Sequence, residues 1–279
     1  MDSDVVNIRF DSWAMGDSIS WMPIVEEYRK QSGKTVIVST FFNQLFAPVY
    51  PELIFVEPNN FIHNIEKIYI GVKVDNDKDN QFSHKDWRDQ PLQKVATDIL
   101  GMDYKPIRPK VYAPDIHIPY NNYICISEHT SRKNKYWHYP NGWQNVVDFC
   151  NSIGIIVVVC SKEPTTLKNV IDRTGDHPLL NRCSLISKAK AFVGVSSGLY
   201  WVAQGTNTPS LLISGSTEHD HEYVWNGHRI STPEGFCKGC INNPKYEFND
   251  KLDCPENKDY ECSRTITSEM VIEKLKEVL

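Results

Sequence analysis

Residues 155–160 read Ile-Ile-Val-Val-Val-Cys, and no other feature constrains the possible folds of this chain as tightly. A strand apolar on both faces has to be covered on both. Half-solvated antiparallel sheets do not require that, whereas parallel sheets flanked by helices do. Similar buried runs are expected at 123–127, 191–195 and 210–214, separated by stretches predicted as helices at 143–153, 165–173 (a short one), 180–190 and 199–205. Strand and helix in alternation predict an α/β domain with a doubly wound parallel sheet. A final helix over 267–278, with Val271, Leu275 and Val278 on one face, is expected to pack on its surface.

The first hundred residues repeat the pattern on a smaller scale. Strands are predicted at 7–10, 35–40, 53–56 and 67–72, and helices at 18–31 and 87–101, the second ended by Gly101. Pro23 is expected to start, kink or shorten the first helix, because proline lacks the amide that an interior helical position donates. Residues 73–86 are charged and turn-rich and read as an exposed loop; their Asp spacing lacks the glycine and terminal Glu of a calcium loop. Four prolines between 105 and 119, with little periodicity, place a linker there. The expected division is therefore two Rossmann-like domains, 1–118 and 119–279, which suits a length of 279 residues.

With a net charge of -5 the chain carries no global positive field, so nucleic acid is a poor candidate partner. It has neither an apolar run of membrane-spanning length nor the opening of a signal peptide, and the expectation is a cytoplasmic protein with no membrane span.

Two doubly wound domains bring the carboxyl ends of both sheets around one crevice, so candidate site residues are those just after strands. In the second domain these are Thr130, Ser131 and Lys135, then Glu163, then Ser196, Ser197 and Gly198. Amides at a helix start beside two hydroxyls suit a diphosphate; an ordinary serine N-cap with a tight glycine turn accounts for the same tripeptide. Lys135 offers a point charge for a leaving diphosphate, and Glu163 an acceptor for ribose hydroxyls. In the first domain Asp17 follows Gly16 and is expected to cap the helix after it. A carboxylate there also suits the base that an inverting sugar transfer needs.

Eight cysteines divide into four set singly in apolar segments and a cluster, Cys237-x2-Cys240-x13-Cys254-x7-Cys262. The CxxC pair defines half a tetrahedral site, and two later thiolates complete it. Four protein ligands leave no open position, so the reading is a structural metal ion in a knuckle over 237–262, iron or zinc, with free thiols or a redox pair as the alternative.

Residues 14–40, 135–149 and 173–223, together with the knuckle, resemble the autotransporter O-heptosyltransferases of glycosyltransferase family nine, which have the GT-B architecture. The stretch SSGLYWVAQGTNTP is the most specific part of the likeness. The resemblance implies an inverting transferase with an ADP-linked heptose donor. It implies a glycine-aspartate pair at Gly16 and Asp17 with the aspartate as base, and a nucleotide-contacting loop at Thr130, Ser131 and Lys135. It further implies a phosphate-binding turn at Ser196–Gly198, and iron at the four cysteines.

The lipopolysaccharide branch of the family has Asp-Thr-Gly at that turn with a His soon after. Here Ser196-Ser197-Gly198 precedes Tyr200 and Trp201, nearer the protein-modifying branch. The likeness begins almost at the first strand, so the additional N-terminal domain of those enzymes is expected to be missing. Acceptors in keeping with this reading are a protein Ser or Thr, or alternatively a glycan, a lipid precursor or a modified nucleobase. A different class of reading is a catalytically silent nucleotide-binding module that assembles as a homo-oligomer through Trp225, Phe236 and Tyr246.

Overall fold

The computed structural model describes residues 5–10, 12–58, 67–69, 88, 90–246 and 253–279. The loop expected over 73–86 and the outer parts of the strand at 67–72 and the helix at 87–101 lie outside the described residues.

The front half contains β1 (Val5–Phe10), α1 (Met15–Ser32), β2 (Thr35–Ser39), α2 (Asn43–Phe46), β3 (Ile54–Phe55), β4 (Lys67–Tyr69) and α3 (Leu92–Leu100). Its strands form one sheet in the order β3-β2-β1-β4, every pair parallel, with Val6 opposite Val36 and Ile8 opposite Val38. The back half contains β5 (Tyr123–Ser127), α4 (Gly142–Ser152), β6 (Ile156–Val159), β7 (Ile171–Asp172), α5 (Leu179–Ser187), β8 (Phe192–Val195), α6 (Gly198–Gly205), β9 (Ser210–Ser214), β10 (Gly227–Ser231), α7 (Glu261–Arg264) and α8 (Ser268–Val278). Its sheet runs β10-β9-β8-β5-β6-β7, again parallel throughout. The α/β class with parallel sheets is therefore as expected.

Both sheets reverse their winding at an interior strand. In the first, β1 lies between β2 and β4; in the second, β5 and β8 are neighbours with later strands added outward on either side. Chain leaving the carboxyl end of such a strand opens a crevice. Residues 12–17 follow β1, residues 128–135 follow β5, and residues 196–198 follow β8. Functional candidates from far apart in sequence therefore meet where the topology leaves room.

One hydrophobic cluster runs through both halves, joining Ile8, Met22 and Val38 to Phe192, Tyr200, Trp201 and Val202. The junction is α1 against α6. Its closeness depends on two glycines, since a Cβ on Gly16 would stand 2.8 Å from Cδ1 of Trp201 and one on Gly198 would stand 2.6 Å from Cε of Met15. Residues 105–119 carry no regular element and are stitched down on both halves: Val111 N donates to Gly205 O at 3.0 Å and Tyr112 N to Leu45 O at 2.8 Å.

Several local expectations need correction. Pro23 neither starts nor ends α1, which begins at Met15 and continues to Ser32. Residues 18–25 of that helix are buried without a break, because sheet, α3 and α6 enclose it, and this enclosure outweighs one missing amide. The buried Gln93 amide also donates to Ser20 O at 2.9 Å, beside the carbonyl that the proline frees. The short helix expected over 165–173 is absent; that stretch is irregular and ends in the edge strand β7, with Ile171 opposite Val158. Its two threonines and Asn169, which takes a left-handed φ of 58°, break a helical turn and leave an extended edge. Strand β10 was not anticipated, since Gly-His-Arg-Ile-Ser has little apolar content and lies at the sheet edge.

Candidate active site

Ser12, Trp13 and Ala14 lead from β1 into α1, and Asp17 occupies the third position of that helix. The expected capping role is not observed: the N-cap is Ala14, with no side-chain cap. The Asp17 carboxylate instead turns to Ser12, whose hydroxyl donates to Oδ2 at 3.2 Å and accepts from Ala14 N at 3.1 Å. Burial raises its pKa from 3.8 to about 6, against the opposing pull of Lys135 and the Ser12 hydrogen bond. A carboxyl poised there is ionised at neutral pH yet basic enough to accept a proton.

The opposite wall comes from the second sheet. Lys133–Lys135 forms a short 3-10 turn after β5, and Lys135 Nζ donates to Ser196 Oγ at 3.0 Å. Burial lowers the Lys135 pKa, while Glu222 and Asp17 oppose that shift. Ser197 caps α6, its hydroxyl accepting from Tyr200 N at 3.4 Å, so the ordinary capping reading of the tripeptide holds. It does not compete with the anion reading, because the first amides of α6 still open on the crevice.

A cavity of about 380 Å³ lies between these walls. Gly16, Asp17, Thr130, Ser131, Lys135, Glu163, Ser196, Ser197 and Gly198 all line it, so every expected donor-site and base residue converges on one place. Gly16 does so chiefly by admitting Trp201. Glu163 stands exposed at the rim, past the buried Ser161.

Sequence reasoning missed the group that organises the back wall. Glu222 is 2% exposed; its Oε1 accepts from the Ser196 hydroxyl, and its Oε2 accepts from Thr217 Oγ1 at 2.8 Å and pairs with Arg229 Nη1 at 3.2 Å. Burial would raise its pKa, but His221, Arg229, Lys135 and the Ser196 hydrogen bond outweigh burial and hold it at about 2. His221, beside it, is pushed by burial down to about 4 despite the attraction of Glu222, so its imidazole is neutral near pH 7. Both belong to the segment directly after β9, and placement after a strand end was the available signal. Trp13, at 76% exposure on the front rim, stacks on Phe41 at 3.7 Å. Trp225, expected on an assembly surface, is half-buried, with its ring beside those of Trp201 and Tyr223.

The four clustered cysteines line one small pocket between α7 and the turn at Cys240–Asn242, and all are free thiols. Burial first, then the neighbouring thiols, push Cys240 up to about 11 and Cys262 up to about 12. Among the described residues no three His, Cys, Asp or Glu side chains form a metal-holding group, so the four thiols share a pocket without forming the expected knuckle. Its donors fit a thiophilic ion in kind and location. The adjoining chain takes left-handed φ at Asn257, Asp259 and Tyr260, values non-glycine residues rarely adopt. The same segment buttresses the back wall: Tyr260 stacks on His138 at 3.8 Å, and Asn134, next to Lys135, reaches Cys240 Sγ at 4.0 Å.

Comparison with known proteins agrees with this architecture. The profile of glycosyltransferase family 9 (heptosyltransferase) matches residues 113–231. The autotransporter heptosyltransferase BAHTCr of Citrobacter rodentium is 30% identical, the alignment covering 97% of this chain and 69% of the relative. A crystal structure of the iron-containing dodecameric glycosyltransferase TibC from enterotoxigenic E. coli superposes with a TM-score of 0.87 at 26% identity, over 98% of this chain and 75% of that one. TibC in complex with ADP-D-beta-D-heptose gives 0.85 at 25% identity, over 98% and 76%. No helix among the described residues is long and apolar enough to cross a membrane. With two parallel sheets facing one crevice and a relative of that identity along nearly its whole length, the chain belongs to glycosyltransferase family 9 and is a glycosyltransferase of GT-B fold from the autotransporter heptosyltransferase branch.

Proposed function

We propose that this protein transfers a heptose-like sugar, with inversion, from an ADP-linked donor to a hydroxyl of a protein acceptor, Ser or Thr. The observation that carries this is the placing of Asp17 opposite Lys135 and the Ser196–Gly198 turn across one cleft. A base with its pKa near 6 faces a cationic, amide-rich cradle. The acceptor hydroxyl loses its proton to the Asp17 carboxylate as its oxygen forms a bond to the anomeric carbon. The bond from that carbon to the diphosphate oxygen breaks, and its electron pair leaves with the diphosphate. Lys135 and the first amides of α6 receive the charge that develops there. Thr130 and Ser131 flank the nucleotide, and Glu163 at the rim accepts from ribose hydroxyls.

In this reading residues 1–118 form the acceptor-side domain and residues 119–279 the donor-side domain. Cys237, Cys240, Cys254 and Cys262 hold a structural metal ion, iron as in TibC or else zinc, which would fix the segment behind Lys135. Elemental analysis of the purified protein decides between the metals. The dodecameric state of TibC makes a homo-oligomer the expected assembly.

The reaction is tested by supplying ADP-, GDP-, UDP- and CDP-linked sugars with separate protein, glycan and lipid-precursor acceptors. Labelling of protein from the ADP-linked donor is expected. Transfer only to a glycan or lipid would move the acceptor assignment to the alternative, and no transfer with any pair would leave a nucleotide-binding module.

A further inference from the structure

Away from the cleft, a second cavity of about 210 Å³ opens between the 116–120 strap and α5. One side is apolar, built from Ile116, Ile118, Pro119 and Leu185, while Arg173, Arg182, His117, His177 and Asn181 supply the polar remainder. No carboxylate lines it.

The two guanidinium groups are the unusual feature. Arg182 is 8% exposed and donates to the carbonyls of Cys160 and Gly175; Arg173 Nε donates to the Tyr120 hydroxyl at 2.6 Å, with its guanidinium carbon 5.6 Å from that ring. Neither makes a salt bridge with any of the described residues. Of the acidic groups nearby, Asp115 pairs with Lys188, Asp176 lies 3.9 Å from Lys162, and the exposed Asp172, which accepts from Thr174 N at 2.8 Å and Thr174 Oγ1 at 2.7 Å, acts on His177 at the rim; none lines the cavity. Arg173 is exposed at the mouth, but Arg182 is buried, and a buried cation without a counter-charge is costly and ordinarily paired. Carbonyl oxygens satisfy the geometry of Arg182 but leave its full positive charge in the wall.

We propose that this cavity is a binding site for a small organic anion, a phosphate or carboxylate carried on a short apolar body. The anionic head meets Arg173, Asn181 and the edge of Arg182, and the body lies on Ile118, Pro119 and Leu185. Guanidinium is suited to either head group, since both present paired oxygens to its fork of donors. The occupant touches both the strap that joins the two sheets and α5, whose Arg182 holds the carbonyl next to Ser161 of the catalytic cleft. This site does not depend on the sugar-transfer reading.

Phenyl phosphate and benzoate are the probes, titrated calorimetrically at constant ionic strength with the catalytic cleft saturated by ADP. Benzyl alcohol serves as the neutral control. Both anions are expected to bind and the alcohol not to. Arg173→Gln should weaken binding roughly 10-fold, the loss of one charge-assisted contact. Asn181→Asp supplies the missing counter-charge, and is expected to abolish binding while raising Tm, a change that simple damage to the pocket would not produce. Binding unaffected by Arg173→Gln, equal binding of benzyl alcohol, or no heat with either anion would overturn the proposal. Binding of phenyl phosphate alone, or of benzoate alone, would assign the head group.

Discussion

The two walls of the cleft solve opposite electrostatic problems. On the front wall Asp17 has one hydroxyl partner and no adjacent cation in contact, so burial dominates and its pKa rises to about 6. On the back wall Glu222 is more deeply buried yet held at about 2, because His221, Arg229, Lys135 and the Ser196 hydroxyl outweigh burial. Equal chemistry in unequal company gives one carboxylate that can exchange a proton and one that stays charged. In the proposed reaction that difference would give the base to the front wall and preorganisation to the back.

The largest expected effect tests that division directly. Asp17→Asn should lower turnover about a thousandfold, within the range lost when a general base is removed, with donor affinity kept. In the unaltered protein the rate should fall tenfold per pH unit below about 6, as the carboxyl gains its proton. Stability should move the other way. A folded pKa raised above 3.8 means that the contribution of Asp17 is most favourable below pH 3.8 and is lost as the pH rises through about 6. Asn should therefore hold or raise Tm at pH 8. Retained turnover in this variant would remove Asp17 as the base.

The corresponding change behind the cradle should behave differently. Glu222→Gln leaves Arg229, whose side chain is 5% exposed, without its counter-charge. The expected loss is about 3 kcal/mol of stability, read from urea denaturation, with weaker donor binding as Ser196 and Lys135 lose their anchor. If Glu222→Gln instead cost only turnover, with stability intact, the carboxylate would belong to the reaction and the contrast between the walls would fail.

The front wall was the more legible of the two in sequence. Gly16 and Asp17 stand just after a strand, and position relative to a strand end is readable from apolar runs. The glycine itself was legible as a residue but not as a packing device, because its neighbour Trp201 is 185 residues away and only the fold brings them together. Glu222 was hidden for a similar reason. Its partners Ser196, Thr217 and Arg229 converge through β8, β9 and the low-hydrophobicity edge strand β10, which no periodicity announces. The helical expectation for 18–31 came close in extent but misjudged Pro23, since enclosure by both halves makes α1 nearly all buried at its start and erases the one-sided pattern. The spacing of the four cysteines predicted that they would gather, and they line one pocket, although spacing carries no information about how tightly the sulfurs close.

The junction between the walls gives an effect of intermediate size. Gly16→Ala drives a methyl to 2.8 Å from the Trp201 ring, and Trp201 is 3% exposed with little room to yield. A loss of about 2 kcal/mol is expected, typical of overpacking, together with a drop in turnover from displacement of the adjoining Asp17. Pairing the change with Trp201→Leu should recover part of both. Failure of the double variant to recover either would mean that the two walls are not set by this contact.

The smallest expected effect concerns the rim of the front wall, and it asks which substrate that wall serves. Trp13 is 76% exposed beside Asp17, and its stack on Phe41 at 3.7 Å holds the indole in place, so a bound partner would meet a preordered surface. The donor's diphosphate is expected on the back wall with Lys135, which leaves the indole to the acceptor. Trp13→Ala should then raise the acceptor KM roughly 3- to 10-fold, the worth of one aromatic contact, and leave the donor KM and Tm nearly unchanged. A rise in the donor KM instead would put the sugar against Trp13 and exchange the substrates assigned to the two walls.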